Sequence, residues 1–372
     1  MNIPLVDLKM QYYTIQNEIK LAIDSVLERG RYVLGPETER LEATLSKYTG
    51  TTYAIACSSG TDALLLALLA IDLQPGDEVI STPLSFFASS EAVSFLKGKP
   101  VFVDIDPETY CMDPAQIEAA ITPKTKAILP VHIFGQCAEM DPILEIAKKH
   151  NLYVIEDACQ AIGATYKNKK SCSMGDLGVI SFYPSKNLGG YGDGGMVFTH
   201  NEDLFKAARD FRTHGEYPKQ FKHKRIGTNS RISEIEASIL NVKQKHIDAW
   251  NQKRRDLAQN YDRLFSENNL RSHIQIPKTG SNNQHTYHLY LIQTAPKESL
   301  QKYLAERGIS TGNHFPKPIH HLDCYEGQYA HQSFPIAEGF CEKSVSLPMF
   351  PELTFEQQET VVRNIKVFFE KR

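Results

Sequence analysis

The chain has 372 residues, 41% hydrophobic and 23% charged, and a formal net charge of −3 from 41 basic and 44 acidic side chains. That length predicts a large domain with a smaller one beside it. The near balance of charge argues against a basic stripe for nucleic acid and against a disordered acidic tail, and no apolar run reaches membrane-spanning length.

The opening MNIPLVDLKMQYY lacks a basic segment followed by an apolar core, so no secretory signal is expected. From about Thr51 to Asn201, short apolar runs alternate with helix-length amphipathic stretches. TTYAIACSS, DEVIST, KPVFVDI, KAILPVHI and LYVIEDA read as strands; TDALLLALLAI, FASSEAVSFLK and DPILEIAKKHN read as helices, the last stopped by Asn151. This alternation predicts a mostly parallel sheet with helices on both faces. LGVISFY and GMVFTH follow one another with no helix between them, so the sheet is expected to turn antiparallel there. After Asn201 come a helix in EDLFKAARDFRTHG, a basic loop in KQFKHKRIGTNS, and a long helical pattern from Arg231 to Asn268 that should bend near Trp250. TYHLYLIQT then reads as a strand, and KESLQKYLAERG and TFEQQETVVRNIKVFFEKR as helices. Residues 1–250 are assigned to the large domain and 251–372 to the small one, with the N-terminal segment packing on the latter. Cys57, Cys111, Cys137, Cys159, Cys172, Cys324 and Cys341 are odd in number, scattered and never spaced as CxxC, which predicts reduced thiols in a cytoplasmic protein.

Four features converge on one chemistry. Asp157 ends an apolar strand and should sit at the carboxyl edge of the sheet, where ligands of open α/β folds bind; a helix cap is the alternative. Glu156 beside it should face the other way. In CSSGTDALLLAL, the helix start with Ser59 and Thr61 offers a phosphate cradle, or simply a Ser/Thr cap. One of Phe86 and Phe87 could stack on a flat ring, the other being core. Lys186 lies just past VISFY, where a lysine partly withdrawn from water could attack a carbonyl and form a Schiff base. The literal GxGxxG at Gly190, Gly192 and Gly195 precedes a strand, so it is no dinucleotide fingerprint. A lysine, a carboxylate, an aromatic and a phosphate cradle are the handles that pyridoxal 5'-phosphate requires.

At these residues the chain resembles the sugar aminotransferases of the DegT/DnrJ/EryC1/StrS family. The likeness spans SSGTDAL, VFVDIDPETYCMDP, AILPVHIFGQCAEMDPI, VIEDACQAIGA, FYPSKNLGGYGDGG, GTNSRISEIEA and HFPKPIHHLDCY. It implies an α/β aspartate aminotransferase-like fold: a large domain with a mostly parallel seven-stranded sheet and a smaller C-terminal α+β domain. It also implies a role for each residue. Lys186 would be the Schiff-base lysine, Asp157 the partner of the pyridinium nitrogen, and Gln160 that of the ring hydroxyl. Gly60, Thr61 and Ser181 would hold the phosphate and Phe86 would stack on the ring. Asn229 would reach the phosphate of the neighbouring subunit, making a homodimer with shared sites.

KNLGGYGDGG after the lysine, together with Gln160, resembles the family's enzymes that aminate the third sugar carbon. The expected reaction uses L-glutamate and a nucleotide-linked 3-keto sugar, passing through pyridoxamine 5'-phosphate, in amino-sugar or surface-polysaccharide synthesis. Tyr183, His314 and His320 are candidate sugar contacts by the same resemblance. Arg31, Lys219, Lys222 and Arg225 could meet a diphosphate or stay solvated. No metal is expected at His320 and His321, because adjacent histidines lack the usual ligand spacing. The competing readings are amination at the fourth carbon, a sugar dehydratase on the same scaffold, and a non-catalytic regulator. No helix-turn-helix supports the last of these.

Overall fold

The computed structural model describes residues 2–216 and 221–371, so Lys219 lies outside the described residues. Seven apolar runs become strands of one sheet: β1 Tyr53–Cys57, β2 Glu78–Ser81, β3 Lys99–Phe102, β4 Thr125–Ile128, β5 Tyr153–Asp157, β6 Leu177–Ser181 and β7 Gly195–Thr199. Their order across the sheet is β1-β7-β6-β5-β4-β2-β3. Strands β2 to β6 pair in parallel, whereas β7 is antiparallel to both of its neighbours, β6 and β1. Parallel pairing needs a crossover, usually a helix. The helix-free loop between β6 and β7 instead returns the chain directly, as the sequence suggested.

Most of these strands are buried on both faces, which explains their continuous apolar character. Helix Gly60–Ala70 is apolar nearly all round because it is enclosed by β6, β7 and helices Ala88–Phe95 and Glu202–Arg212. Helix Met140–His150 stops at Asn151, which takes a left-handed conformation with φ of 54°. All seven cysteines are free.

A second core gathers Leu257, Tyr261, Phe265, Val361, Val362 and Ile365 from helices Ile247–Glu267 and Phe355–Glu370. It also takes Tyr290 and Ile292 of β8 (Tyr290–Gln293) and Val345 and Leu347 of β9 (Ser344–Leu347), an antiparallel pair. Ile3 belongs to this core and hydrogen-bonds the Gly308 carbonyl at 2.8 Å. Each large apolar side chain buried here contributes about 1.5–3 kcal/mol. The long helical pattern breaks earlier than expected. Helix Glu234–Lys243 ends in a 3-10 turn, Gln244–His246, and the next helix starts at Ile247. Trp250 lies inside that second helix and packs with Ile15, Ile19, Ile239 and Val242. Among the described residues, no helix is long and apolar enough to cross a membrane.

Lys243, at the end of that first helix, is only 1% exposed, with its ammonium 4.6 Å from the centre of the Tyr191 ring. Burial lowers its pKa from 10.5 to about 8 against the opposing pull of Glu236 and Glu352. Between those values the unfolded chain binds more protons than the folded one, so this lysine makes stability rise with pH across that window. Lys243→Met should therefore raise the stability at pH 7 by on the order of 2 kcal/mol, and the thermal midpoint with it, a gain that shrinks toward pH 10. Paired melting curves at the two pH values check this, and an unchanged or lower midpoint at pH 7 would refute it.

Candidate active site

Strand register assembles the site. Cys57 of β1 and Ser181 of β6 both face Gly195 at the start of β7. Asp157 ends β5, opposite Val179 of β6. The segments leaving β1, β2, β5 and β6 thus emerge at the carboxyl edge of the parallel strands. β7 runs the other way, so the glycine-rich loop arrives at the same edge. The packing there leaves no room for side chains at two glycines. A Cβ on Gly195 would lie 2.2 Å from the Ser59 carbonyl oxygen, and one on Gly60 would lie 2.6 Å from Ser181 Cβ.

These segments surround a cavity of about 540 Å³. Lys186, Asp157 and Gln160 line it, as do Gly60, Thr61 and Ser181. Phe86, Tyr183 and His314 complete the predicted residues in its wall. Phe86 is 58% exposed and Tyr183 55%, so neither is a core residue, while Phe87 packs against the large core. Asn229 is exposed on a segment bridged to Thr213 and does not line the cavity of its own chain. His320 lies outside this cavity. It borders a separate depression, with its side chain buried and Nε2 3.1 Å from Glu338 Oε1. Donor atoms of His320, His321 and Glu338 lie within 4.8 Å of one another. Glu338 also accepts the Phe334 N–H, which ties it to the start of its own helix.

The Lys186 N–H donates to the Tyr183 carbonyl at 2.8 Å in the turn that follows β6. Its amine makes no hydrogen bond or ion pair among the described residues. Burial holds its pKa below the usual lysine value, although Cys159 and Asp157 pull the other way. His314 is pushed down to about 4 by burial and by Lys186, and His288, also in the wall, falls well below its usual value for the same reasons. Both imidazoles are therefore neutral near pH 7, and Lys186 is the cavity's cationic candidate.

Asp157 is buried, yet both carboxylate oxygens are held. Oδ2 accepts from Ser89 Oγ at 2.7 Å and Oδ1 from the Cys159 N–H at 3.1 Å. Glu156 faces the opposite side of the sheet, as strand alternation required. It is fully buried, 2.8 Å from His132 Nε2, and accepts the N–H groups of Cys172, Met174 and Gly175. Gln160 Oε1 accepts the Phe134 N–H at 2.9 Å, which leaves its NH₂ group as the free donor. Ser59 caps helix Gly60–Ala70 by accepting the Asp62 N–H at 3.0 Å. The N–H groups of Gly60 and Thr61 take no acceptor among the described residues.

Sequence reasoning missed Ser89 and His288. Ser89 lies in the first turn of helix Ala88–Phe95, and His288 comes from a segment more than 100 residues beyond Asp157, with no motif to mark it; Phe315, also in the wall, follows His314 in the HFPKPIHHLDCY motif.

Comparison with known proteins places the site in context. The DegT/DnrJ/EryC1/StrS aminotransferase family matches residues 13–366. A pleiotropic regulatory protein of Geobacillus stearothermophilus is 44% identical, covering 99% of each chain. The UDP-N-acetyl-3-dehydro-alpha-D-glucosamine 3-aminotransferase of Acidithiobacillus ferrooxidans is 41% identical over 95% of each chain. The crystal structure of DesV from S. venezuelae, in complex with a ketimine intermediate, superposes with a TM-score of 0.96 at 38% identity, covering 99% of each chain.

Proposed function

The chain belongs to the DegT/DnrJ/EryC1/StrS aminotransferase family, a family of pyridoxal-phosphate-dependent enzymes, and on that footing we propose that it transfers the amino group of L-glutamate to a nucleotide-linked 3-keto sugar. One observation carries this reading: a lysine amine and helix-start N–H groups that have no partner among the described residues share one cavity with a buried carboxylate.

The residues present fit the coenzyme. The Gly60 and Thr61 N–H groups, with Ser181, would hold its phosphate. Asp157 would face the ring nitrogen, Gln160 would donate its free NH₂ to the ring hydroxyl, and Phe86 would cover one ring face. Asn229 would reach the phosphate from the second copy in a homodimer. Bound there, pyridoxal phosphate supplies an aldehyde carbonyl and an electron-withdrawing ring. The chain's own residues do the rest. Burial keeps more of Lys186 as the neutral nucleophile near pH 7 than a solvated lysine would have. Nζ of Lys186, once the incoming substrate amine has displaced it from the carbonyl carbon, would take the proton from the amino-bearing substrate carbon and hand it on as a general acid. Neutral His288 and His314 add no competing positive charge next to that amine. Tyr183 and His314 line the path for the sugar, with His320 further out. The relatives named for 3-keto or 3-amino sugars, such as the Acidithiobacillus enzyme, support the third carbon as the site of amination. The name of the Geobacillus relative suggests regulation instead, but the built cavity around Lys186 favours an enzyme. We place the protein in the cytoplasm, in amino-sugar or surface-polysaccharide synthesis.

Incubation of the pyridoxal form with glutamate alone should release about one equivalent of 2-oxoglutarate per site, since the first half of a ping-pong exchange needs no sugar. A nucleotide-linked 3-keto sugar should then restore the starting absorption. Release of no 2-oxoglutarate, or restoration by 4-keto sugars alone, would overturn the assignment.

A further inference from the structure

Asn251 touches no part of the cavity, yet it closes a ring of hydrogen bonds around two residues that do. The ring starts at Gln160, whose Oε1 accepts the Phe134 N–H at 2.9 Å. The carbonyl of the following residue, Gly135 O, accepts both the N–H of Thr286 at 2.7 Å and its hydroxyl at 3.1 Å. Thr286 O accepts from Asn187 Nδ2 at 3.0 Å, and the same Nδ2 donates to Asn251 Oδ1 at 2.8 Å. Asn251 Nδ2 donates in turn to Ile162 O at 3.0 Å, two residues from Gln160. The circuit passes through the segments that carry Gln160, Lys186 and His288, and Asn251 fixes it from the long helix Ile247–Glu267.

Three details indicate that this ring is built. Asn251 and Asn187 are 2% and 4% exposed, so water does not compete for their amides. Asn187 Oδ1 is left without a partner among the described residues, a cost the fold accepts to keep both donations from Nδ2. Glycines also make room for the ring. At φ of 115°, a Cβ on Gly135 would stand 2.8 Å from Thr286 Oγ1; at φ of 82°, a Cβ on Gly163 would stand 2.7 Å from Asn251 Nδ2.

We propose that Asn251 is a positioning residue for the transamination, acting through Asn187 on Lys186 and through Ile162 on Gln160. It fixes the separation of the amine and the amide donor and keeps water from the loop behind Lys186. The inference rests on the reading of Lys186 given above.

The test uses the full-length protein. Hydride trapping of wild type with pyridoxal phosphate, followed by peptide mass analysis, first secures or removes Lys186 as the attachment point independently of Asn251. In the coenzyme-free Asn251→Ala protein, the Lys186 pKa, read from the pH dependence of its acylation rate, should rise by about half a unit or more as water enters. The pH at which the bound coenzyme's visible band titrates should shift as well. The kcat should fall about tenfold to a hundredfold, with KM for glutamate nearly unchanged. Asn187→Ala should give the same shifts, and the double variant no more than either single one, because both cut one ring. Asn251→Ser, which is too short to reach both partners, replaces the alanine variant if that protein does not fold. A lower melting temperature with unaltered Lys186 pKa, absorption and kcat would overturn the proposal, as would fully additive effects in the double variant.

Discussion

Alanine at position 186 is expected to abolish turnover while the protein stays folded. The Lys186 amine makes no hydrogen bond or ion pair among the described residues, so its removal leaves no stranded partner. The backbone contact to Tyr183 does not depend on the side chain. Both the nucleophile and the proton carrier disappear together, a loss of about four orders of magnitude or more in kcat. Absorption spectra should show no lysine-bound coenzyme and hydride treatment should label no peptide, with the circular dichroism spectrum unchanged. Near-normal turnover would remove the basis of the functional assignment.

The second large effect is expected at Asp157. Asparagine fits the site with little rearrangement. Its Oδ1 still accepts the Cys159 N–H, and its NH₂ can face Ser89 Oγ, which has Ser85 Oγ 2.7 Å away as an alternative partner. The substitution therefore removes charge while sparing shape. If the carboxylate stabilises a protonated ring nitrogen, Asp157→Asn should lower kcat by about two to three orders of magnitude, comparable to the loss of one preorganised electrostatic contact in an active site. Coenzyme affinity should fall far less. Stopped-flow measurement of the glutamate half-reaction separates the two quantities, and an unchanged rate would remove the assigned role.

The parts legible in the sequence are those that rest on local pattern. Strand ends placed Asp157 and Lys186 at one edge, because each follows an apolar run that only a buried strand accommodates. The absence of a helix before GMVFTH disclosed the antiparallel strand. Other features depend on partners far along the chain. Ser89 meets Asp157 only because β2 and β5 flank β4, and nothing in FASSEA announces it. Asn251 lies in an amphipathic helix, where a polar residue would be read as solvated; its burial follows from the arrival of Gly163 and Asn187. Helices Leu8–Arg29 and Pro36–Thr49 are not legible from the sequence for a similar reason. The first carries Tyr12, Ile15 and Ile19 for a core completed by helix Glu234–Lys243 and Trp250, more than 200 positions away. The helix break at Gln244–His246 contains neither proline nor glycine, so no residue type announced it.

The place of β1 at one end of the sheet bears on how the protein is made. Its one partner in the sheet is β7, which begins at Gly195. A ribosome adds about 5–20 residues per second, so β1 waits on the order of ten seconds for that partner to be translated. During that interval its apolar residues and those of helix Gly60–Ala70 lack their final cover. The sheet therefore closes late, through contacts distant in sequence that form slowly.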